Sequence, residues 1–176
     1  MRSRLLWGLA VGTAIVGATA HLWKVQATPA SGFTGQTIAV GRFGAINASN
    51  FALVPGDSGR PGSPSLWFSF QRTKGASDVY VQSNTWVPGG TTGWHTHPGH
   101  SLIIVTAGTV TLYEGDDRRC RPRVYTAGMG FVDEGGDHVH LIRNEDSVEA
   151  RTIAVQLIPA GATRRIDADA NPHCAF

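Results

Sequence analysis

Apolar and polar residues alternate along most of the chain after residue 30, in short runs that end at glycine or proline. In residues 78–87 the valines occupy one face, while tyrosine, glutamine, asparagine and tryptophan occupy the other. Because a period of two is typical of β-strands with two different sides, this run is predicted to be a strand. The same pattern predicts strands at residues 37–46, 66–70, 92–97, 102–106, 109–114, 124–126, 131–133, 138–142 and 151–158.

Turn residues punctuate the whole chain, with 22 glycines and nine prolines spread among the predicted strands. Eight or more short strands separated by such turns indicate an all-β sandwich or barrel rather than alternating strands and helices. A length of 176 residues is enough for one well-buried domain. Residues 55–64 are rich in proline, glycine and serine, and we expect them to form a loop over an opening.

The first 30 residues differ from the rest. Arg2 and Arg4 precede an apolar run over residues 5–20, which is typical of a secretory signal peptide. Cleavage after Ala20 and cleavage after Ala27 both fit the preference for small residues. The run is shorter than the roughly 20 residues that span a bilayer, so we favour a cleaved signal over a membrane anchor with the domain facing outside. The expected location is secreted or periplasmic.

The predicted organisation is therefore a leader at residues 1–30, a barrel at 37–160 and a C-terminal tail at 161–176. The leader contains Arg2, Arg4 and Lys24 and no acidic residue, so 12 of the 15 basic residues remain against 13 acidic ones. This near-neutral balance, with no basic cluster, argues against nucleic acid as a partner. Apart from an N-terminal anchor, no membrane contact is predicted.

The chain has two cysteines, Cys120 and Cys174. Disulfides persist in exported proteins, so we expect these two residues to pair and to fasten the C-terminal tail to the domain. Two unrelated thiols are the alternative.

Two histidine pairs share the same spacing: His95 with His97, and His138 with His140. Residues two apart on a strand point to the same face, so each pair can direct both imidazoles into one cleft. Neutral imidazole binds Fe, Ni, Cu and Zn. The pairs therefore predict a metal centre carried on β-structure.

The residues around these pairs resemble the two motifs of the cupin superfamily. The first motif matches Gly89, His95, His97 and Gly108, and the second runs from Gly135 through His140 to Asn144. The likeness covers about residues 78–159, and small exported single-domain bacterial cupins are the most similar members. It implies a jelly-roll β-barrel with a metal in its mouth, held by His95, His97 and His140.

The chain departs from that pattern at Ser101, where the family usually has a glutamate that binds the metal. Serine is a poor ligand for a divalent ion at neutral pH. The departure resembles the three-histidine branch of the family, which includes thiol dioxygenases. His100 or His138 is an alternative fourth ligand, with His138 favoured because it shares a strand face with His140.

The acidic residues beside the second motif, Asp133, Glu134 and Asp137, are expected to lie in a solvated loop. Gly135 and Asp137 also replace the proline and glycine usual in that motif. The alternative is that one carboxylate lies beside the substrate or accepts an imidazole N–H.

These features predict an exported metal-dependent enzyme that acts on a small molecule, with dioxygenase-like oxidation favoured over hydrolysis. The metal would be Fe, Mn, Ni, Cu or Zn, and no side chain is identified as catalytic. The alternative is a noncatalytic cupin that binds a metal or a small ligand, and a third reading is a barrel that has lost its metal. The resemblance also implies a homodimer.

Overall fold

The computed structural model describes residues 28–54 and 65–176. Most of the predicted leader, through residue 27, lies outside these ranges, and so does the predicted loop at residues 55–64. Within the described ranges every regular element is a β-strand. The strands are β1 (Ser31–Phe43), β2 (Asn47–Val54), β3 (Ser65–Arg72), β4 (Ser77–Thr91), β5 (His95–Thr96), β6 (Ser101–Ala107), β7 (Thr109–Glu114), β8 (Arg123–Thr126), β9 (Gly130–Asp133), β10 (His140–Arg143), β11 (Ala150–Pro159) and β12 (Ile166–Asp167).

Ten of these strands form one antiparallel sheet in the order β12-β5-β10-β4-β11-β6-β9, with β1 paired to β4 and β7 joining β10 to β8. β4 is central, because β1, β10 and β11 all pair with it. The sheet curls into the predicted jelly-roll β-barrel, which confirms the all-β fold class. No helix in the described ranges is long and apolar enough to cross a membrane.

Both apolar and polar side chains fill the barrel interior. The apolar part is a buried cluster that includes Trp86, Val105, Val110 and Leu112. The inward positions of β4 and β11 also include Asn84, Thr152 and Gln156, which are buried polar residues. On these two central strands, several polar side chains therefore point into the barrel, whereas Val87 and Val155 point outward.

The N-terminal part differs from the prediction. The strand predicted at residues 37–46 corresponds to β1, but β1 begins earlier, at Ser31, and ends earlier, at Phe43. β3 covers the predicted strand at residues 66–70 but pairs only with β2, in a separate two-stranded sheet. One face of this hairpin carries exposed apolar side chains, namely Phe51, Leu53, Leu66, Phe68 and Phe70. Such a face is typical of a surface that contacts another molecule, and the homodimer stays a prediction.

The C-terminal tail is fastened to the barrel at three places. Cys120 and Cys174 form the predicted disulfide, with their Cα atoms 5.3 Å apart. β12 adds to the edge of β5. The ring of Phe176 lies 4.8 Å from that of Tyr113, and the guanidinium of Arg143 lies 4.1 Å from the Phe176 ring centre.

Candidate metal centre

His95 and His140 face each other across a strand pair. Each is the first residue of its strand, and the two are directly opposite in the β5–β10 ladder. Opposite residues of antiparallel strands point to the same side, so both imidazoles enter the barrel, with ring centres 4.3 Å apart. β12 pairs with the other edge of β5 and fixes this short strand from both sides.

His97 completes a cluster of three rings. It lies two residues after His95, and its ring centre is 4.8 Å from that of His95 and 5.5 Å from that of His140. One ligand nitrogen from each ring lies within 4.8 Å of those of the other two. The structure therefore brings together the three histidines that the cupin resemblance implied, as a group that can hold a metal ion.

The Nδ1 atoms of the first pair are occupied by backbone carbonyls. The Nδ1 of His95 donates to the carbonyl of Gly93 over 2.9 Å, and that of His97 donates to the carbonyl of Arg164. A proton on Nδ1 leaves Nε2 with the lone pair that a metal ligand needs. The hydrogen bonds thus select the tautomer that suits coordination through Nε2.

Burial favours the neutral form of the His95 and His140 rings. Burial, together with the smaller effects of His140 and Arg165, lowers the pKa of His95 to about 2. Burial also lowers the pKa of His140, against the opposing effect of Asp133. Since a metal binds only the unprotonated ring, neither side chain needs to lose a proton near neutral pH.

A tight approach of two loops holds the motifs together. The amide of Gly136 donates to the carbonyl of His97 over 2.6 Å. Gly135 has φ +67°, and a Cβ at this position would lie 2.1 Å from the carbonyl oxygen of Gly99. Glycine is therefore required where the second motif meets the residues that follow His97.

Asp133 does not lie in a solvated loop. It is the last residue of β9, its side chain is 2% exposed, and it is directly opposite Ser101 of β6. Its Oδ2 lies 3.3 Å from Nε2 of His97, and its Oδ1 lies 3.4 Å from Nδ1 of His140. Glu134 and Asp137 are exposed, as expected.

His138 lies apart from the cluster, contrary to the strand-face argument. The predicted strand at residues 138–142 begins only at His140, so the alternation does not extend to His138. Its side chain is 53% exposed, and its Nε2 lies 3.0 Å from a carboxylate oxygen of Glu134. His100, the other suggested fourth ligand, lines a different cavity beside Leu157.

The three histidines line a cavity of about 220 Å³ inside the barrel. One part of its wall is apolar and includes Trp86, Ile103 and Ile142. The rest is polar and consists of Gln82, Asn84, Thr92, Ser101, Asp133, Thr152, Gln156, Arg164 and Arg165. The sequence analysis did not identify Gln82, Asn84 and Gln156 as residues of the site. The available signal was that they alternate with outward-facing residues along their strands.

Arg164 closes part of this cavity from the C-terminal tail. Its guanidinium donates to Gln156 and Thr37, each over 3.0 Å, and also to Gln82. It lies 4.0 Å from the ring centre of Tyr80. The same residue supplies the carbonyl that binds His97, so the tail both orients a histidine and covers the cavity.

Comparison with known proteins finds one family similar to this part of the chain. A family model described as a cupin domain matches residues 84–156. A search of the curated proteins finds no match. The matched residues include both histidine motifs.

Several solved structures are similar over about half of the chain. An oxalate oxidase is 24% identical with a TM-score of 0.39, over 47% of this chain and 46% of its own, so this chain spans about half of its length. A double-stranded β-helix protein from Klebsiella pneumoniae is 21% identical with a TM-score of 0.44, over 52% and 75%. A cupin superfamily protein from Desulfitobacterium hafniense is 14% identical with a TM-score of 0.40, over 46% and 67%. The similarity to the cupin domain thus covers residues 84–156, the part of the barrel that holds His95, His97 and His140.

Proposed function

We propose that this protein is an exported metal-dependent enzyme that oxidises a small molecule in a dioxygenase-like reaction. The observation that carries the proposal is the group of three imidazoles whose ligand nitrogens converge within 4.8 Å at the wall of an internal cavity. Three nitrogen ligands suit Fe, Mn, Ni, Cu or Zn and leave coordination positions open to other molecules.

The residues of this chain fit such an ion. The Nδ1 hydrogen bonds of His95 and His97 fix both rings before any metal arrives. Burial keeps the His95 ring neutral, because the charged form is poorly solvated there. When bound, a redox-active metal would supply positions where a substrate and dioxygen bind side by side.

The cavity wall suggests the class of substrate. At about 220 Å³ the space suits a small molecule. Gln82, Asn84 and Gln156 offer amide groups to this space, while Trp86 and Ile103 offer apolar surface. A small molecule with both polar and apolar parts fits this lining.

Export is part of the proposal. The disulfide between Cys120 and Cys174 supports an oxidising location, because such bonds are rare in the cytosol. The predicted leader at residues 1–30 also supports export. We therefore place the protein in the periplasm or outside the cell, with a membrane anchor facing outside as the alternative.

A second candidate function is a noncatalytic cupin that binds a metal or a small ligand. Ser101 favours it, because the position usually occupied by a metal-binding glutamate in relatives holds a hydroxyl here. A barrel that has lost its metal is the third candidate. These three functions differ in metal content and in turnover, so two measurements separate them.

The first measurement is the metal content of the exported wild-type protein and of His97→Ala, determined by elemental analysis. We expect one metal per wild-type chain and loss of stoichiometric metal in the variant, with the β-fold retained by circular dichroism. Full metal occupancy in His97→Ala would mean that His97 is not a ligand and that the proposed ligand set is wrong. A wild-type protein without metal, even after loading, would favour the third candidate.

The second measurement is oxygen consumption by the metal-loaded protein with thiols, phenols and diketones. The proposal expects consumption with at least one class, and expects it to disappear in His97→Ala. Metal-loaded protein that consumes no oxygen with any class would favour the noncatalytic binder.

A further inference from the structure

We propose that Asp133 is the fourth metal ligand of this site, through its Oδ2 atom. It would supply from β9 the carboxylate that Ser101 does not supply from β6. This inference rests on the metal site of the proposed function, and it changes the composition of that site from three histidines to three histidines and one carboxylate.

The strand register puts the carboxylate in the right place. Ser101 and Asp133 are directly opposite in the β6–β9 ladder, and both side chains are buried. Opposite side chains on antiparallel strands point to the same face, with Cβ atoms about 4.5 to 5.5 Å apart. A carboxylate at position 133 therefore reaches into the space that a longer acidic side chain at position 101 would occupy.

The distance to His97 matches two ligands of one ion. Because Nδ1 of His97 is bound to the Arg164 carbonyl, Nε2 is the nitrogen left for a metal. Oδ2 of Asp133 lies 3.3 Å from this Nε2. Two ligand atoms that are each about 2.1 Å from an ion, at angles of 90 to 109°, lie about 3.0 to 3.4 Å from each other.

The other oxygen of Asp133 anchors the side chain. The amide of Gly135 donates to Oδ1 over 3.1 Å, and Nδ1 of His140 lies 3.4 Å from the same atom. The Ser101 hydroxyl donates to Oδ2 over 3.4 Å. One oxygen is thus held by the loop of the second motif, while the other lies next to Nε2 of His97.

Burial of this carboxylate requires a positive partner. Among the described residues, the ion pairs of Asp133 are with His97 and His140 alone, and no lysine or arginine is within ion-pair distance. A buried anion without compensation is costly. A divalent cation among the histidines would provide the missing charge and would leave a net charge of +1 on the site.

The test uses the full exported chain and Co²⁺ as the probe, with three variants. Asp133→Asn removes the charge but keeps an oxygen that can accept from His140. Ser101→Glu combined with Asp133→Ser moves the carboxylate to the opposite strand. Glu134→Gln removes the neighbouring exposed carboxylate and serves as the matched control.

We expect Asp133→Asn to weaken Co²⁺ binding by at least about 100-fold, the upper end of what loss of an outer partner costs. We expect its visible cobalt spectrum to change, the transposed variant to recover tight binding, and Glu134→Gln to match the wild type. Wild-type affinity and spectrum in Asp133→Asn would overturn the inference but leave the three-histidine site standing. A wild-type protein that binds no Co²⁺ would instead remove the proposed function.

A crystal structure of the cobalt-loaded wild type gives a second measurement that does not depend on whether any variant folds. An Oδ2 to metal distance of about 2.0 to 2.2 Å is expected. A distance beyond about 3 Å, with the carboxylate still on His140, would show that Asp133 only orients that ring and would overturn the inference.

Discussion

The two histidine pairs have the same spacing but different structures. His95 and His97 both reach the internal cavity. Of the second pair, His140 reaches it, while His138 is exposed and contacts Glu134. Identical spacing in the sequence therefore does not guarantee that both side chains serve the same site.

The difference comes from the backbone around each pair. β5 is paired on both edges, with β10 and with β12, and this support orients the residues that follow it. Before His140 the chain makes a turn, closed by the hydrogen bond from the amide of His138 to the carbonyl of Gly135. Alternation applies only where the backbone is extended, so His138 turns outward.

The largest expected effect tests this contrast within the second pair. His140→Ala should abolish stoichiometric metal, with a loss of affinity of at least about 100-fold, because a ligand is removed. His138→Ala should bind metal like the wild type. Elemental analysis after dialysis against a weak chelator measures both. Loss of metal from His138→Ala would show that the outward orientation is wrong.

A smaller effect is expected from releasing the C-terminal tail, which contacts the first histidine pair through the Arg164 carbonyl and β12. Replacing both Cys120 and Cys174 by serine opens a bridge between residues 54 apart. The chain-entropy relation then gives a loss of up to about 4 kcal/mol in the free energy of unfolding. Metal affinity should also fall, about 10-fold, because the tail holds the carbonyl that orients His97.

Urea unfolding and a Co²⁺ titration under nonreducing conditions measure these two changes. Mass spectrometry of unreduced wild-type peptides should find Cys120 joined to Cys174, and free thiols would contradict the bridge. Unchanged affinity in the double variant would show that the tail does not support His97.

The smallest effect concerns the pH dependence of the metal-free protein. The pKa of His95 is lowered by burial to about 2 from 6.5. The unfolded state therefore takes up a proton at His95 before the folded state does, and stability falls as the pH falls below 6.5. For this residue alone the loss is about 1 kcal/mol between about pH 6.5 and 5.5.

His95→Gln should remove that part of the pH dependence, while His138→Gln should keep it. Unfolding curves of the chelator-treated proteins across this range give the slopes. Equal slopes for wild type and His95→Gln would mean that the buried ring does take up a proton in the folded state.

Much of the barrel could be predicted because its strands alternate clearly. Residues 78–87 and 151–158 both lie within observed strands. The hairpin of β2 and β3 could not be predicted, because alternation says which residues form a strand but not which strand is its partner. The polar interior of β4 and β11 was missed for a related reason, since the pattern alone does not say which face points inward.

The three converging histidines were predicted from spacing and resemblance, whereas the surroundings of the site were not. Asp133 shares a strand face with the buried Phe131, whereas Val132 is exposed. Because Phe131 and Val132 are both apolar, the sequence did not show which of these faces points inward. No alternation pattern indicated the contribution of Arg164 either. Its contact with His97 spans 67 residues and depends on how the tail folds back.

The close approach at Gly135 limits how this scaffold can be redesigned. Any side chain there would collide with the Gly99 carbonyl and force the loops after the two motifs apart. Combinatorial libraries that seek new specificity should leave this position fixed and vary the amide-bearing positions of β4 and β11 instead. We therefore expect new specificities to arise from substitutions in the barrel wall rather than at Gly135.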